Sequence, residues 1–207
     1  MKTLPLLLAL GFLGAACSNT RYRNAQDEET INADFGSTDK QRFVAGVVDD
    51  LLAAPSLSYY GKPDENGDAR VVAVMGGIAN RTEEHIDTKI IADGMLSKLL
   101  GKMRFVAGGQ GQNEIGEQVR FQQDSGRVDP AKAAAFGKQL GAQVILYGGL
   151  ASIVKDKGRS IESLGSKKKD VYYQFVMKCV DTNTAEILWT HEVELRKQQV
   201  TSLFGSE

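Results

Sequence analysis

The first half of the chain has apolar residues at the spacing of an α-helix. Between residues 43 and 52 they recur at every third or fourth position, and Pro55 ends the pattern. Ser37 or Thr38 provides an N-cap, with Gln41 three positions after Thr38 to complete a capping box. We therefore predict an amphipathic helix that packs one face on the core.

Three further helices are predicted downstream. The helical pattern returns over residues 86–100 and, more weakly, over residues 112–123. Asp129 as N-cap and Pro130 at the first helical position then predict a helix that ends at Gly141.

From residue 144 onward, apolar and polar residues alternate with a period of two. Residues 144–154, 171–181 and 186–196 are predicted as three long strands, the last two forming an antiparallel hairpin around a tight turn at residues 181–184. In the middle strand the apolar set includes Cys179, which predicts a buried structural thiol.

Two shorter strands are predicted before these three. Residues 70–75 (RVVAVM) read as a buried strand that ends at Gly76 and Gly77, after a surface loop at residues 58–69, and residues 104–106 as a short one. The predicted class is α/β in the broad sense (α+β), a mixed β-sheet of four to five strands with flanking helices.

The N-terminus has the pattern of a secretory signal that ends in a lipobox. Lys2 precedes an apolar run over residues 4–13, and the small residues 14–16 lead into Cys17, whose thiol can carry a diacylglyceryl group. An ordinary secretory signal with a fortuitous cysteine is the alternative. Ser18 after the cysteine favours the outer membrane over the inner one.

These patterns divide the chain into four parts. We predict a signal peptide at residues 1–16, a lipidated N-terminus and short disordered tether at 17–33, one globular domain at 34–200 and a C-terminal tail at 201–207. The tether carries both signs of charge and no proline.

Composition and motifs argue against several classes of function. Without Lys2 the chain has 24 basic and 26 acidic side chains, a balance that does not favour nucleic acid. His85 and His191 are the only histidines and lack metal-ligand spacing, and neither a phosphate-binding loop nor a nucleophile elbow is present. Acidic pairs such as Glu83 and Glu84 are adjacent and read as a solvated surface. We expect no enzyme activity, no cofactor and no metal.

One candidate binding segment directly follows the first buried strand, where a rigid scaffold displays a loop. The alternative is a helix N-terminus, with Thr82 as its cap. The candidate partner-binding residues here are Asn80, Arg81, Thr82 and His85.

A second candidate segment lies at the start of the predicted hairpin. If Tyr173 faces the core, Tyr172 lies on the opposite face with Gln174, and a tyrosine rimmed by lysines suits a protein-binding surface. Helices covering that face are the alternative. The candidate residues here are Lys168, Lys169 and Tyr172.

Several long strings, in order along the chain, resemble the LpoB family of lipoprotein activators. They are DFGSTD at 34–39, GIANRTEEHIDT at 77–88, RFV at 104–106, SGRVDPAKAAAFGKQLGAQVILYG at 125–148, SIVK at 152–155 and KKDVYYQFVMKCVDTNTAEILWTHEVELRK at 168–197.

The resemblance implies a domain similar to the N-terminal domain of TolB. It also implies a monomeric, non-enzymatic protein, anchored by lipid on the periplasmic side of the outer membrane, that activates a class A penicillin-binding protein of the 1B type. Family members that span the periplasm carry a long proline-rich linker, whereas this tether is short, and residues 158–169 read as an expanded basic loop. An envelope assembly or secretion lipoprotein of the CsgG-like type, which would oligomerise, is the alternative function.

Overall fold

The computed structural model describes residues 21–29, 31–58, 60, 63, 65–106, 130–158 and 166–202. Its elements, in chain order, are α1 (Ser37–Ala53), α2 (Pro55–Ser58), β1 (Val72–Arg81), α3 (Lys89–Leu99), β2 (Arg104–Phe105), α4 (Pro130–Gln139), β3 (Val144–Lys157), β4 (Lys167–Asp181) and β5 (Ile187–Thr201). The helix predicted over residues 112–123 and the predicted N-cap Asp129 lie outside the described residues.

The strands form one mixed sheet in the order β2-β1-β3-β4-β5. β1 pairs in parallel with β2 and with β3, and α3 makes the crossover between β1 and β2. β3, β4 and β5 form an antiparallel meander. The predicted class is therefore confirmed, and so is the predicted hairpin. The last three strands are longer than predicted, so that Lys167 to Lys169, which we assigned to a basic loop, belong to β4.

The main core lies between the sheet and the pair α1 and α3. The period-two prediction for β4 is confirmed, since its core-facing side chains are fully buried and Phe43 of α1 packs on Phe175 with ring centroids 5.1 Å apart. A smaller apolar cluster lies on the other side of the sheet, beneath α4, around Ile145 and Val180. The core-facing residues of β4 are Val171, Tyr173, Phe175, Met177 and Cys179.

β1 does not end at Gly76 and Gly77 as predicted, but continues to Arg81. Met75 pairs with Leu146 and Ile78 with Gly148, so β1 carries one residue more than β3 over this stretch. The two glycines therefore form a β-bulge, which a reading of glycine as a strand terminator misses. The extra residue changes which side chains face the core beyond the bulge.

The start of α1 also differs from the prediction. Gly36 is the N-cap, and its backbone N–H donates to Asp39 Oδ2 at 2.8 Å, so Asp39 takes the role that we assigned to Gln41. Gln41 instead donates to the carbonyl of Ala25 at 2.6 Å, and the N–H of Glu29 donates to Thr38 Oγ1 at 2.8 Å. Contacts of the domain therefore begin before residue 34, inside the stretch assigned to the tether.

The thiol of Cys179 is fully buried, and this burial, with the nearby Asp181 carboxylate, raises its pKa to about 12. Because the thiolate is the reactive form, we expect no reaction of Cys179 with a disulfide reagent in the folded protein at pH 8. The Cys17→Ser variant, in which Cys179 is the only thiol, provides the assay. One thiol should react after addition of guanidinium chloride, and prompt reaction without denaturant would contradict the assignment.

Candidate functional site

One side of the sheet is packed against α1 and α3, and the other side is only partly covered by the described helices. On that other side α4 lies over Ile145 and Val180. We use the name open face for the remainder of this side. Its side chains include Arg81 on β1, Ile153, Lys155 and Lys157 on β3, Lys168, Asp170, Tyr172 and Gln174 on β4, and Glu192, Glu194 and Arg196 on β5.

The strand register brings Arg81 and Tyr172 to this same face, although they come from different candidate segments. Arg81 pairs with Ala151, and Ala151 with Gln174, which lies two residues from Tyr172 on the same side of β4. A Cβ added to Gly149 would lie 3.8 Å from the Arg81 guanidinium carbon, an ordinary van der Waals distance, so the arginine side chain lies over β3 at this glycine. The β1 bulge sets this direction, because without the extra residue Arg81 would point to the helices.

Three hydrogen-bonded pairs of side chains connect β4 and β5 on the open face. The Tyr172 hydroxyl donates to Glu194, and the Gln174 amide donates to Glu192. Arg196 donates to both carboxylate oxygens of Asp170, at 2.9 and 2.7 Å. In each case the β5 residue lies two positions from the one directly opposite, a diagonal that fits the twist of the sheet.

The titration of these side chains reflects the same contacts. The hydrogen bond to Glu194 raises the pKa of Tyr172 to about 12, and the Arg196 guanidinium lowers the pKa of Asp170. Both groups are therefore in their hydrogen-bonding forms at neutral pH. Asp170, Glu192 and Glu194 each accept a hydrogen bond from a neighbouring side chain of the sheet.

The basic groups at the end of the open face where β3 passes into β4 have no such partners among the described residues. Lys157 of β3 and Lys168 of β4 are directly opposite each other and exposed, and neither forms an ion pair within the part of the chain that the structure describes. Like charges directly opposite in a sheet repel each other. Ile153, opposite Tyr172, is 58% exposed. The open face thus combines an apolar centre with a repelling pair of lysines.

The other residues of the first candidate segment form a turn between β1 and α3. The Asn80 amide donates to the carbonyl of Glu84 at 2.8 Å, and its oxygen accepts from the Thr82 N–H and hydroxyl at 3.0 and 2.8 Å. α3 begins later, with Thr88 at the N-cap, so the alternative in which Thr82 caps a helix is wrong. His85 lies exposed in the same turn.

Glu84, which we predicted to be part of a solvated acidic pair, instead faces the core and accepts two hydrogen bonds. It accepts the Phe35 backbone N–H at 2.8 Å and the hydroxyl of Tyr173. Its position on the core side of the turn could not be read from the sequence, because Glu83 beside it is exposed. Glu84 thus joins the segment before α1 to β4.

Lys169 and Lys197, which belong to the sheet, also bind the segment before α1, at Asp34. Lys169 forms an ion pair with Asp34, which raises the lysine pKa. Lys197 donates to the Asp34 carbonyl at 2.6 Å and to Asp39 Oδ2 at 2.9 Å. Lys169 therefore lies on the opposite side of the sheet from Lys168 and Tyr172, with which it was predicted to act.

A similar contact joins α1 to β5. Asp50 accepts the Trp189 indole N–H at 2.6 Å and lies 3.2 Å from Nδ1 of His191. His191 stacks on Trp189 with ring centroids 6.0 Å apart. This histidine serves to connect a helix and a strand.

The described residues contain neither a candidate metal site nor a helix that could cross a membrane. They hold no group of three or more His, Cys, Asp or Glu side chains placed to bind a metal ion. Their helices are each too short or too polar to cross a membrane.

The family model of the peptidoglycan-synthase activator LpoB matches residues 39–195, more than half of the chain. The chain belongs to the LpoB family. This confirms the family predicted from the sequence, and the LpoB family is one of activators, which implies a partner synthase. No curated protein matches the chain.

The solved structures that are similar to this one include two of LpoB and one of another lipoprotein. The LpoB C-terminal domain from Salmonella enterica has a TM-score of 0.49 and 18% identity, over 75% of this chain and 96% of that one. The NMR structure of E. coli LpoB has a TM-score of 0.47 and 15% identity, over 95% and 91%. The lipoprotein GNA1162 from Neisseria meningitidis has a TM-score of 0.41 and 12% identity, over 66% and 87%. The family assignment depends on the sequence match, not on these superpositions.

Proposed function

We propose that this LpoB-family protein is a lipoprotein, anchored on the periplasmic side of the outer membrane, that binds a class A penicillin-binding protein of the 1B type and activates it. The match of residues 39–195 to a family of peptidoglycan-synthase activators carries this proposal. The lipobox before Cys17 supports the anchor, and the other cysteine, Cys179, is buried in the core.

Activation by such a protein must come from binding. An activator shifts the synthase toward a productive conformation only if it binds that conformation more tightly than the others. A tenfold stimulation requires a difference of about 1.4 kcal/mol in binding free energy between the two states. A few well-placed contacts on one surface supply a difference of this size.

The contacts of residues 25–29 with α1 affect how far the domain can reach from an anchor. Arg42 forms an ion pair of 2.9 Å with Glu28, close to the bond between Gln41 and Ala25. With these contacts formed, only residues 18–24 separate Cys17 from the domain, and they extend to at most about 25 Å. The partner synthase would have to approach the outer membrane to within this distance plus the extent of the domain itself.

The proposal predicts that the full chain, purified in detergent, increases the rate at which the 1B-type synthase of the same organism polymerises lipid-linked disaccharide substrate. The protein alone should produce no polymer. A rate that stays unchanged at saturating concentrations of the full chain would contradict the proposed function. The same assay with an unrelated lipoprotein controls for the effect of detergent and lipid.

A further inference from the structure

We propose that the open face is the surface on which the synthase docks, and that it binds an acidic surface of the synthase with an apolar centre. The inference rests on the proposed function and names the partner's chemistry. The centre of the contact is the pair of Ile153 and Tyr172, and its basic part is formed by Lys157 and Lys168.

The charge of the open face indicates the charge of its partner. Asp170 is paired with the Arg196 guanidinium, and Glu192 and Glu194 each accept a hydrogen bond from a neighbouring side chain of the sheet. Lys157 and Lys168 have no ion pair among the described residues and repel each other across the strands. Carboxylates of a partner placed between them would relieve this repulsion.

The apolar part of the open face favours a protein over other anionic partners. Ile153 is more than half exposed and lies opposite Tyr172, whose ring is held in place by the hydrogen bond from its hydroxyl to Glu194. A fixed aromatic ring beside an exposed aliphatic side chain provides contact area at a small cost in side-chain entropy. Arg81 lies on the same face, on β1.

On the opposite side of the sheet, two lysines of the strands are already paired within the described part of the domain. There Lys169 is paired with Asp34, and Lys197 with Asp39. Their charges are neutralised within the domain, and the sheet is covered by α1 and α3.

The test is the double charge reversal Lys157→Glu/Lys168→Glu in the full chain. The two positions keep like charges in the variant, so the cross-strand repulsion is retained and the thermal midpoint should stay close to that of the wild type. Against an acidic surface, however, the reversal introduces repulsion, and we expect the affinity for the synthase to fall by about tenfold or more. Affinity is measured by calorimetry at low and high salt, and the wild type should show the stronger salt dependence.

The matched control is Lys89→Glu/Lys102→Glu, which reverses two exposed lysines, one at the first residue of α3 and one in the turn after its end, on the other side of the sheet. This control should bind as the wild type does. Ile153→Thr, which keeps a β-branched residue in the strand, should weaken binding without charge reversal.

The outcomes distinguish the inference from the proposed function. If the wild type binds and stimulates the synthase and both double variants bind equally well, the open face is not the docking surface, although the function stands. If the wild type itself neither binds nor stimulates, the proposed function fails, and the inference with it. If Lys157→Glu/Lys168→Glu loses binding only to vesicles of phosphatidylglycerol and phosphatidylethanolamine and still binds the synthase, the open face is a membrane-binding surface and the inference is overturned.

Discussion

Replacing Glu84 with alanine is expected to lower the free energy of unfolding by about 1–3 kcal/mol, because the Phe35 N–H loses its acceptor and the Tyr173 hydroxyl keeps only its longer contact with the Ala33 carbonyl, at 3.3 Å. The donors are the Phe35 N–H, 2.8 Å from Glu84, and the hydroxyl of Tyr173 on β4. Tyr173 is fully buried, and its burial, together with this hydrogen bond, raises the pKa of its phenol. The measurement is denaturant unfolding followed by circular dichroism.

Glu83→Ala is the matched control for this prediction. Glu83 is the exposed neighbour of Glu84, so its loss should change the unfolding free energy by less than about 0.5 kcal/mol. Tyr173→Phe completes a double-mutant cycle, and the coupling energy between positions 84 and 173 should be favourable. Equal destabilisation by Glu83→Ala and Glu84→Ala would show that the contact is not specific.

Changing Cys17 to serine is expected to move the protein from the outer-membrane fraction to the soluble periplasmic fraction. A serine cannot carry the thioether-linked acyl chains, and each buried methylene contributes about 0.8 kcal/mol to membrane binding. Fractionation of cells followed by immunoblotting measures the change, and mass spectrometry of the N-terminus reports the acyl chains directly.

The chain offers a matched control for this variant, since it contains only two cysteines. Cys179→Ala removes the buried thiol and should leave the protein in the membrane fraction. A Cys17→Ser protein that still sediments with the outer membrane would contradict the anchor, whatever the behaviour of the control.

The parts of the fold that depend on local pattern could be predicted from the sequence. α1 shows a clean helical period that ends before Pro55, and β4 alternates without interruption from Val171 to Cys179. These elements bury one complete face, so the spacing of their apolar residues predicts both the type of element and the side that packs on the core.

The parts that depend on pairing between distant segments could not be predicted. Gly76 and Gly77 could end a strand or form a bulge, and only the pairing of β1 with β3 decides between them. That choice also determines on which side of the sheet Arg81 lies. The shared face of Arg81 and Tyr172 therefore follows from tertiary structure and has no sequence signal.

The candidate residues illustrate the same limit. Lys168 and Lys169 are adjacent in one basic run, yet period two in β4 sends them to opposite sides of the sheet, where Lys169 meets Asp34. The sequence showed the run but not that it would belong to a strand. Glu84 likewise gave no signal, because its donors, Phe35 and Tyr173, are distant in the chain.

The most direct test of the account is to titrate the 1B-type synthase with the full chain and to measure binding and polymerisation in the same buffer. If activation results from docking, the concentration that gives half of the maximal stimulation will equal the dissociation constant from calorimetry, and both will shift together in the Lys157→Glu/Lys168→Glu variant. Stimulation without measurable binding, or binding that saturates with no change in the rate, would contradict activation by direct contact.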